Sequence, residues 1–393
     1  MKKKSTIDLY SEYVMATYTR VPLVLTRGKG ARVWDDKGKS YLDFFPGWAV
    51  SGIGHCHPRV VKAVRSQAKR ILHVSNNYYN EIQGELAAKI IEYSFDGKAF
   101  FCNSGAEAIE AAIKLSRKYG APSSRYEIIT MLKSFHGRTL AAIAATGQDK
   151  VKKGFDPIPE GFKHIPFNDI EAFKSALTDK TIAVMLEPIQ GEGGINVADK
   201  EYIKALRDIC DKRDMLLIFD EVQTGMGRTG EVFCFKHYGI EPDVITLAKS
   251  LGGGLPIGAM VAGGKFADVL TSGTHASTFG GSPVVCASAL AVFEAIEKDG
   301  LIENTREMGV YLKAELQGLA SKHNVITGIK GMGLMLGVVL SVDGAGIYDR
   351  CLKKGLLINC TQEKILRIMP PITVTKKEID EAVSILDGVL NAL

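Results

Sequence analysis

Residues 216–225 read Leu216-Leu217-Ile218-Phe219-Asp220-Glu221-Val222-Gln223-Thr224-Gly225. Four apolar residues, a strand's length, end abruptly in two acids. A continuous apolar run bounded in this way predicts a strand buried on both faces, of the kind found in parallel sheets, with a carboxylate at its C-terminal end. Working outward, a second run, Asp243-Val244-Ile245-Thr246-Leu247-Ala248, delivers Lys249, and the glycine-rich Ser250-Leu251-Gly252-Gly253-Gly254 follows at once. Open α/β sheets bind ligands beyond the carboxyl ends of their strands, so an acid and a lysine at neighbouring strand ends share one crevice. Each residue also has an ordinary reading. An acid that closes a strand commonly caps a helix or pairs with a base, and a lysine after a strand is commonly solvated. Their context decides between these.

That context is an alternation of strands and helices. Segments 98–102, 127–132 and 182–186 are predicted strands, and 105–118 and 200–213 predicted helices. A helix over about 59–69 starts at His57-Pro58, since proline suits the first turn. Alternation of this kind implies an α/β fold, a mostly parallel central sheet with helices on both faces. Before it, residues 5–16 form a short helix. Residues 33–44 read as a hairpin around Asp36-Lys37-Gly38, and the glycine- and aromatic-rich stretch 45–58 as a loop. From about residue 297 the texture changes. An amphipathic segment (299–322) precedes strand-like runs at 333–340, 355–359 and 365–369. Thr375-Lys376-Lys377-Glu378 has the form of a capping box. The final helix then keeps Ile379, Ala382, Val383, Leu386 and Leu390 on one face. These readings give three parts: an N-terminal segment (1–55), a large domain (56–296), and a smaller α+β domain (297–393) against which the N-terminal segment packs.

At 393 residues, 46% apolar and 24% charged, the composition is that of a soluble globular protein. The net charge of +5 is too small, and its lysines and arginines too scattered, to imply nucleic acid as a partner. Seven cysteines in irregular positions, with no CxxC pair, fit a reduced inventory rather than a disulfide framework. Cys56 between His55 and His57 invites a metal reading, but no second ligand cluster supports it. Met1-Lys2-Lys3-Lys4 resembles the charged start of a signal peptide, yet no apolar run follows. A cytoplasmic location is therefore expected, and no apolar run reaches membrane-spanning length.

Several further motifs surround the central pair. Asn103-Ser104-Gly105-Ala106-Glu107 joins a strand to a helix. Free N–H groups and the helix dipole there make an anion site, and Gly105 allows a phosphate close approach. Phe135-His136-Gly137-Arg138 follows another strand; the phenyl ring could lie on a flat heterocycle, and Arg138 could clamp a carboxylate in bidentate fashion. Glu187-Pro188-Ile189-Gln190-Gly191-Glu192-Gly193-Gly194 sets two acids in a glycine-rich turn. Arg228 and Arg367 fall at expected loop or strand-end positions, where either could neutralise a substrate carboxylate or an active-site glutamate. A lysine amine, an acid to keep a pyridine nitrogen protonated, and a phosphate cradle are together what pyridoxal 5′-phosphate (PLP) requires, because the protonated ring accepts electrons from a carbanion.

These motifs, with Gly54-His55-Cys56-His57-Pro58, Ser277-Thr278-Phe279-Gly280-Gly281 and Leu366-Arg367-Ile368-Met369-Pro370-Pro371, carry a resemblance that runs nearly end to end. The chain resembles the class III (subgroup II) aminotransferases of PLP fold type I, and within them is most similar to acetylornithine aminotransferases, with ornithine aminotransferases next. The resemblance implies that Lys249 holds PLP and Asp220 pairs with its pyridine nitrogen. It implies that Glu221, Val222 and Gln223 border the cofactor, with Gln223 near the ring hydroxyl, and that Phe135 stacks on the ring. Gly105 and Ala106 would bind the phosphate through backbone N–H groups. Thr278 would reach the phosphate of a partner subunit, which implies a homodimer with shared active sites. Arg138 would bind the substrate α-carboxylate, with Ser277 beside it. Glu192 and Arg367 would form an ion pair that opens for the distal carboxylate of 2-oxoglutarate. The implied reaction moves the terminal amine of N2-acetylornithine to 2-oxoglutarate, as in arginine biosynthesis. Ornithine, succinyl-diaminopimelate and 4-aminobutyrate are the rival donors. Ala106 departs from the threonine common among relatives, and Trp48 from their usual residue beside the substrate's distal end.

Overall fold

A computed structural model describes residues 4–393, so Met1 to Lys3 of the lysine-rich start lie outside the described residues. Its centre is a seven-stranded sheet. In spatial order the strands are Gly97–Cys102, Gly258–Gly263, Val244–Leu247, Leu216–Asp220, Thr181–Leu186, Glu127–Met131 and Phe162–Ile165. Leu216–Asp220 pairs in parallel with both neighbours, with Asp220 opposite Thr246 and Phe219 opposite Leu186. The sheet is nonetheless mixed. Gly258–Gly263, a strand the sequence reading passed over, runs antiparallel to both of its neighbours.

Every residue of Leu216–Asp220, Val244–Leu247 and Thr181–Leu186 is buried, the physical reason these runs are apolar apart from Asp220, Thr246 and Thr181. Side chains alternate between the two faces. Leu216 and Ile218 join Ile109, Ala112 and Met185 in one cluster, while Leu217 and Phe219 join Leu186, Leu247 and Phe293 in a larger one. The helix Gly105–Gly120 covers the first face and meets the sheet through small residues, Ala108, Ala111 and Ala112. Truncating a fully buried ring such as Phe219 should cost about 3–5 kcal/mol.

The C-terminal part has the long helix Leu301–Lys322, then the antiparallel sheet Ile326–Met332, Met335–Leu340, Ile365–Ile368, Asn359–Thr361. The closing helix Lys376–Leu390 begins with both halves of the capping box, Thr375 and Glu378, and buries Ile379, Ala382, Leu386, Val389 and Leu390; Val383 is only partly buried. The expected strand 355–359 divides at Ile358. Leu356–Leu357 pairs in parallel with Ser40–Asp43, Leu356 opposite Leu42, and Asn359–Thr361 joins the other sheet. That pairing ties the N-terminal hairpin (Arg32–Asp35, Ser40–Asp43) to the C-terminal part. The first helix is shorter than expected, Thr6–Tyr13, and fully exposed.

Candidate active site

The carboxyl ends of the central strands open onto a cavity of about 490 Å³ whose lining includes Gly105, Phe135, Arg138, Asp220 and Lys249. Lys249 follows Val244–Leu247 after one residue and opens a single turn of 3₁₀-helix, Lys249–Gly252. Its φ of 46° is left-handed, a conformation that must be held in place for a non-glycine residue. Two hydroxyls hold this turn: Ser250 Oγ donates to Ala49 O (2.6 Å) and Ser288 Oγ to Gly252 O (2.6 Å). The lysine is half-buried, with its amine among cavity groups. Desolvation lowers its pKa from the ordinary value, against the opposing pull of Asp220, Glu192 and Glu187.

Asp220 is held on three sides. His136 Nδ1 lies 2.8 Å from Oδ2, while the Val222 N–H (3.1 Å) and the Thr246 hydroxyl (3.2 Å) donate to Oδ1. His136 is itself buried, its backbone N–H donates to Thr146 Oγ1 (2.9 Å), and its Nε2 has no partner among the described residues. Burial disfavours the imidazolium, but Asp220 outweighs it and the His136 pKa is raised. Reading the sequence assigned work to residues on either side of His136 and none to His136. Its place inside the Phe135-His136-Gly137 motif was the available signal.

Across the cavity, Ser104 caps the helix Gly105–Gly120 by accepting the Glu107 N–H (3.3 Å). The first N–H groups of the helix have no intrahelical acceptor, and Gly105 and Ala106 both line the cavity. A Cβ on Gly105 would lie 2.8 Å from a Val222 methyl, so this end of the cavity admits a ligand only against bare backbone. A Cβ on Gly137 (φ +136°) would lie 2.8 Å from Ala106 Cβ, which fixes the alanine in close contact. The Phe135 N–H donates to Glu187 Oε2 (3.0 Å), and the Arg138 guanidinium sits 5.4 Å from the Phe135 ring. Arg138 has no carboxylate partner among the described residues.

Arg367 is fully buried in the strand Ile365–Ile368, yet its Nη1 donates to Glu192 Oε1 at 2.7 Å and its Nε to Asn359 Oδ1 at 2.8 Å. Glu192 lines the cavity, and its backbone carbonyl accepts from Thr361 Oγ1 (2.9 Å) and Gln362 Nε2 (3.0 Å). The acid therefore comes from the central sheet's loops and the base from the C-terminal sheet.

Two expectations change. Glu221 does not face the cavity. Its carboxylate accepts the N–H groups of Cys234 and Phe235 (2.7 Å each) and the Thr224 hydroxyl (3.1 Å), so it fastens the 221–235 loop. Burial pushes its pKa up to about 7 while these donors pull it down. Arg228 is likewise buried away from the cavity, where Nη1 donates to Leu334 O (3.1 Å) and Pro370 O; it meets no carboxylate. Val222 and Gln223 do line the cavity. Ser277 and Thr278 lie in an adjoining cleft of about 360 Å³, joined to the first through Asn103, whose Nδ2 donates to Ser277 Oγ (3.2 Å). His55, Cys56 and His57 form no metal site: His55 Nε2 meets Asp43 Oδ2 at 2.8 Å and Cys56 is exposed.

A lysine of lowered pKa, a fixed carboxylate, an unpaired helix N-terminus and a free arginine around one cavity are suited to a phosphorylated ring aldehyde and an amino acid. Known proteins agree with this reading. The chain is 51% identical to the acetylornithine aminotransferase of Methanocaldococcus jannaschii, over 100% of both chains. It is 53% identical to that of Caldanaerobacter subterraneus, over 98% of this chain and 99% of the other. An ornithine aminotransferase from Toxoplasma gondii, whose structure has partial occupancy of PLP at the active site, superposes with a TM-score of 0.94 at 33% identity, covering 98% of this chain and 93% of that one. The sequence model of the family described as Aminotransferase class-III matches residues 13–390, and this chain belongs to that family.

Proposed function

We propose that the protein transfers the terminal amino group of N2-acetylornithine to 2-oxoglutarate with PLP as cofactor, giving N-acetylglutamate 5-semialdehyde and glutamate. The observation that carries the reading is the Glu192–Arg367 pair beside the cavity, 2.7 Å between Nη1 and Oε1. N2-acetylornithine carries one carboxylate, which Arg138 takes, and leaves the pair closed; the second carboxylate of a dicarboxylate acceptor takes the Arg367 guanidinium. The names of the relatives supply the donor, and full-length identities of 51% and 53% favour acetylornithine over ornithine.

The residues present fit PLP: Gly105 clears the backbone for a phosphate, and Asp220, oriented by His136, would face a protonated ring nitrogen. When bound, PLP supplies an electron sink for the pair left on the donor carbon. Lys249 Nζ, its pKa lowered by burial, takes the proton from the carbon bearing the donor amine and in the second half-reaction returns one to C2 of the acceptor. Arg138 holds the substrate's carboxylate by its planar fork, and Phe135 would cover one face of the bound ring. His136 keeps Asp220 aimed. The kinetics are ping-pong.

A homodimer belongs to the same proposal. It is supported by the exposed Phe279 of the Ser277–Thr278 cleft, where Asn76 Nδ2 donates to Ser277 O (3.0 Å). So do division near residues 55 and 296 and a cytoplasmic location; among the described residues no helix is long and apolar enough to cross a membrane. The test is half-reaction spectroscopy on the PLP-loaded protein, following loss of the cofactor's visible band with each donor and its return with 2-oxoglutarate. Fast loss with N2-acetylornithine and slow loss with ornithine is the expected result. The reverse order moves the assignment to ornithine, and no band after PLP addition refutes the enzyme reading.

A further inference from the structure

Gly47, Trp48 and Ala49 all have left-handed backbones, with φ of 58°, 63° and 66°. Two consecutive non-glycine residues in this region carry a cost of about 1–3 kcal/mol each and persist only where the surroundings impose them. Here the turn hangs from the cavity floor. Ser250 Oγ, next to Lys249, donates to Ala49 O (2.6 Å), and Gln223 Nε2 approaches Trp48 O (3.5 Å). What the strained turn presents is an indole, 48% exposed, set edge-on to Phe45 with ring centroids 5.3 Å apart. The Arg367 guanidinium carbon lies 4.6 Å from the Phe45 centroid and 5.2 Å from that of Trp48. Phe45 is carried next to the arginine strand, because the Met369 N–H donates to Phe44 O (2.7 Å). Arg367 therefore sits in a box of two aromatic rings, the Glu192 carboxylate and the Asn359 amide, and its Nη2 has no bonded partner among the described residues.

We propose that Phe45 and Trp48 are positioning residues for Arg367, and that Trp48 sets specificity for dicarboxylate acceptors. When Glu192 leaves, the guanidinium loses its only anion. A bare cation in a gap would rehydrate, and a substrate carboxylate would then have to displace that water. Two ring faces keep the cation dry and in register through cation–π attraction, which is strongest when desolvated. The acceptor's second carboxylate then meets a preoriented arginine. The inference rests on the reading of Arg367 as the acceptor's anchor.

The test uses the PLP-loaded protein and the unreactive dicarboxylate glutarate, with pentanoate as the monocarboxylate control. The chain has two tryptophans, so Trp34→Phe leaves Trp48 as sole emitter. Its emission should change saturably with glutarate and stay flat with pentanoate. In the otherwise native protein, Trp48→Leu should weaken glutarate binding by calorimetry about tenfold and raise the KM for 2-oxoglutarate to match, the size of one desolvated cation–π contact. The KM for the amine donor should stay within about twofold of native, and Trp48→Phe should restore most of the affinity. Flat emission in the Trp34→Phe protein, or native glutarate binding in Trp48→Leu while Arg367→Lys loses it, overturns the aromatic box and leaves the anchor intact. Native glutarate binding in Arg367→Lys overturns the anchor itself.

Discussion

Glu187→Gln tests the electrostatics of the cavity wall. Glu187 is 7% exposed, accepts the N–H groups of Phe135 (3.0 Å) and Gly191 (3.4 Å), and faces His136, Asp220 and Lys249. Desolvation raises its pKa from 4.5 to about 7. The folded protein then keeps a proton that the unfolded chain gives up, so stability falls as pH rises from 4.5 and the loss is complete above 7. The full shift corresponds to about 3 kcal/mol, of which about 2.5 kcal/mol falls between pH 5 and pH 8. Glutamine keeps an acceptor oxygen and does not ionise. The stability of Glu187→Gln relative to the native protein should therefore improve by about 2.5 kcal/mol from pH 5 to pH 8, read from urea midpoints of the PLP-loaded proteins at each pH. Glu221 carries a similar shift, but it is present in both proteins and cancels. A difference that stays flat across the range refutes the reasoning. It would mean that Glu187 is ionised throughout and balanced by His136 and Lys249.

Asp220→Asn removes the charge that His136 orients, and kcat should fall by about 10²–10⁴ with PLP still bound, checked by single-turnover absorbance. Gly105→Ala sets a methyl 2.8 Å from Val222 Cγ1, so PLP affinity should drop about tenfold in an absorbance titration; adding Val222→Ala should recover part of it. Thr375→Ala removes the side-chain half of the capping box, the acceptor for the Glu378 N–H, and should cost about 1 kcal/mol in urea unfolding with kcat unchanged.

What the sequence made legible was what local pattern controls. Leu216–Asp220 and Val244–Leu247 are buried throughout, which calls for apolar side chains except where a polar one finds a buried partner, as Thr246 and Asp220 find each other. Gly258–Gly263 was missed for the opposite reason. Its glycines read as punctuation, yet they stand where backbones crowd: a Cβ on Gly258 would lie 2.3 Å from Ser104 O, and one on Gly97, opposite Gly263 in the neighbouring strand, 2.3 Å from Ala262 O. The resemblance puts Glu221 beside the cofactor together with Asp220 and Val222. Successive side chains of an extended chain point to opposite sides, so adjacency argued against a shared role. His136 acts through a partner 84 residues away, and no local signal marks that contact.

The residues that hold the cofactor and those that choose the acceptor come from different parts of the chain, and this separation has a consequence. Lys249, Asp220, Phe135 and Gly105 all belong to the strands and loops of the central sheet. Arg367 and Asn359 come from the C-terminal sheet, Glu192 from the loop after Thr181–Leu186, and Phe45 and Trp48 from the segment after Ser40–Asp43. The acceptor grip is built where three distant segments meet. It is free to change without disturbing the electron sink, because none of its side chains bonds to Asp220 or lies at the Gly105 end of the cavity. Two hydrogen bonds join the neighbourhoods of the two sets, from the Ser250 hydroxyl to Ala49 O and from Gln223 Nε2 to Trp48 O. Substitutions of the Trp48 ring should thus alter which acceptor is used, whereas Ser250→Ala, which loosens the strained turn itself, should impair both half-reactions together.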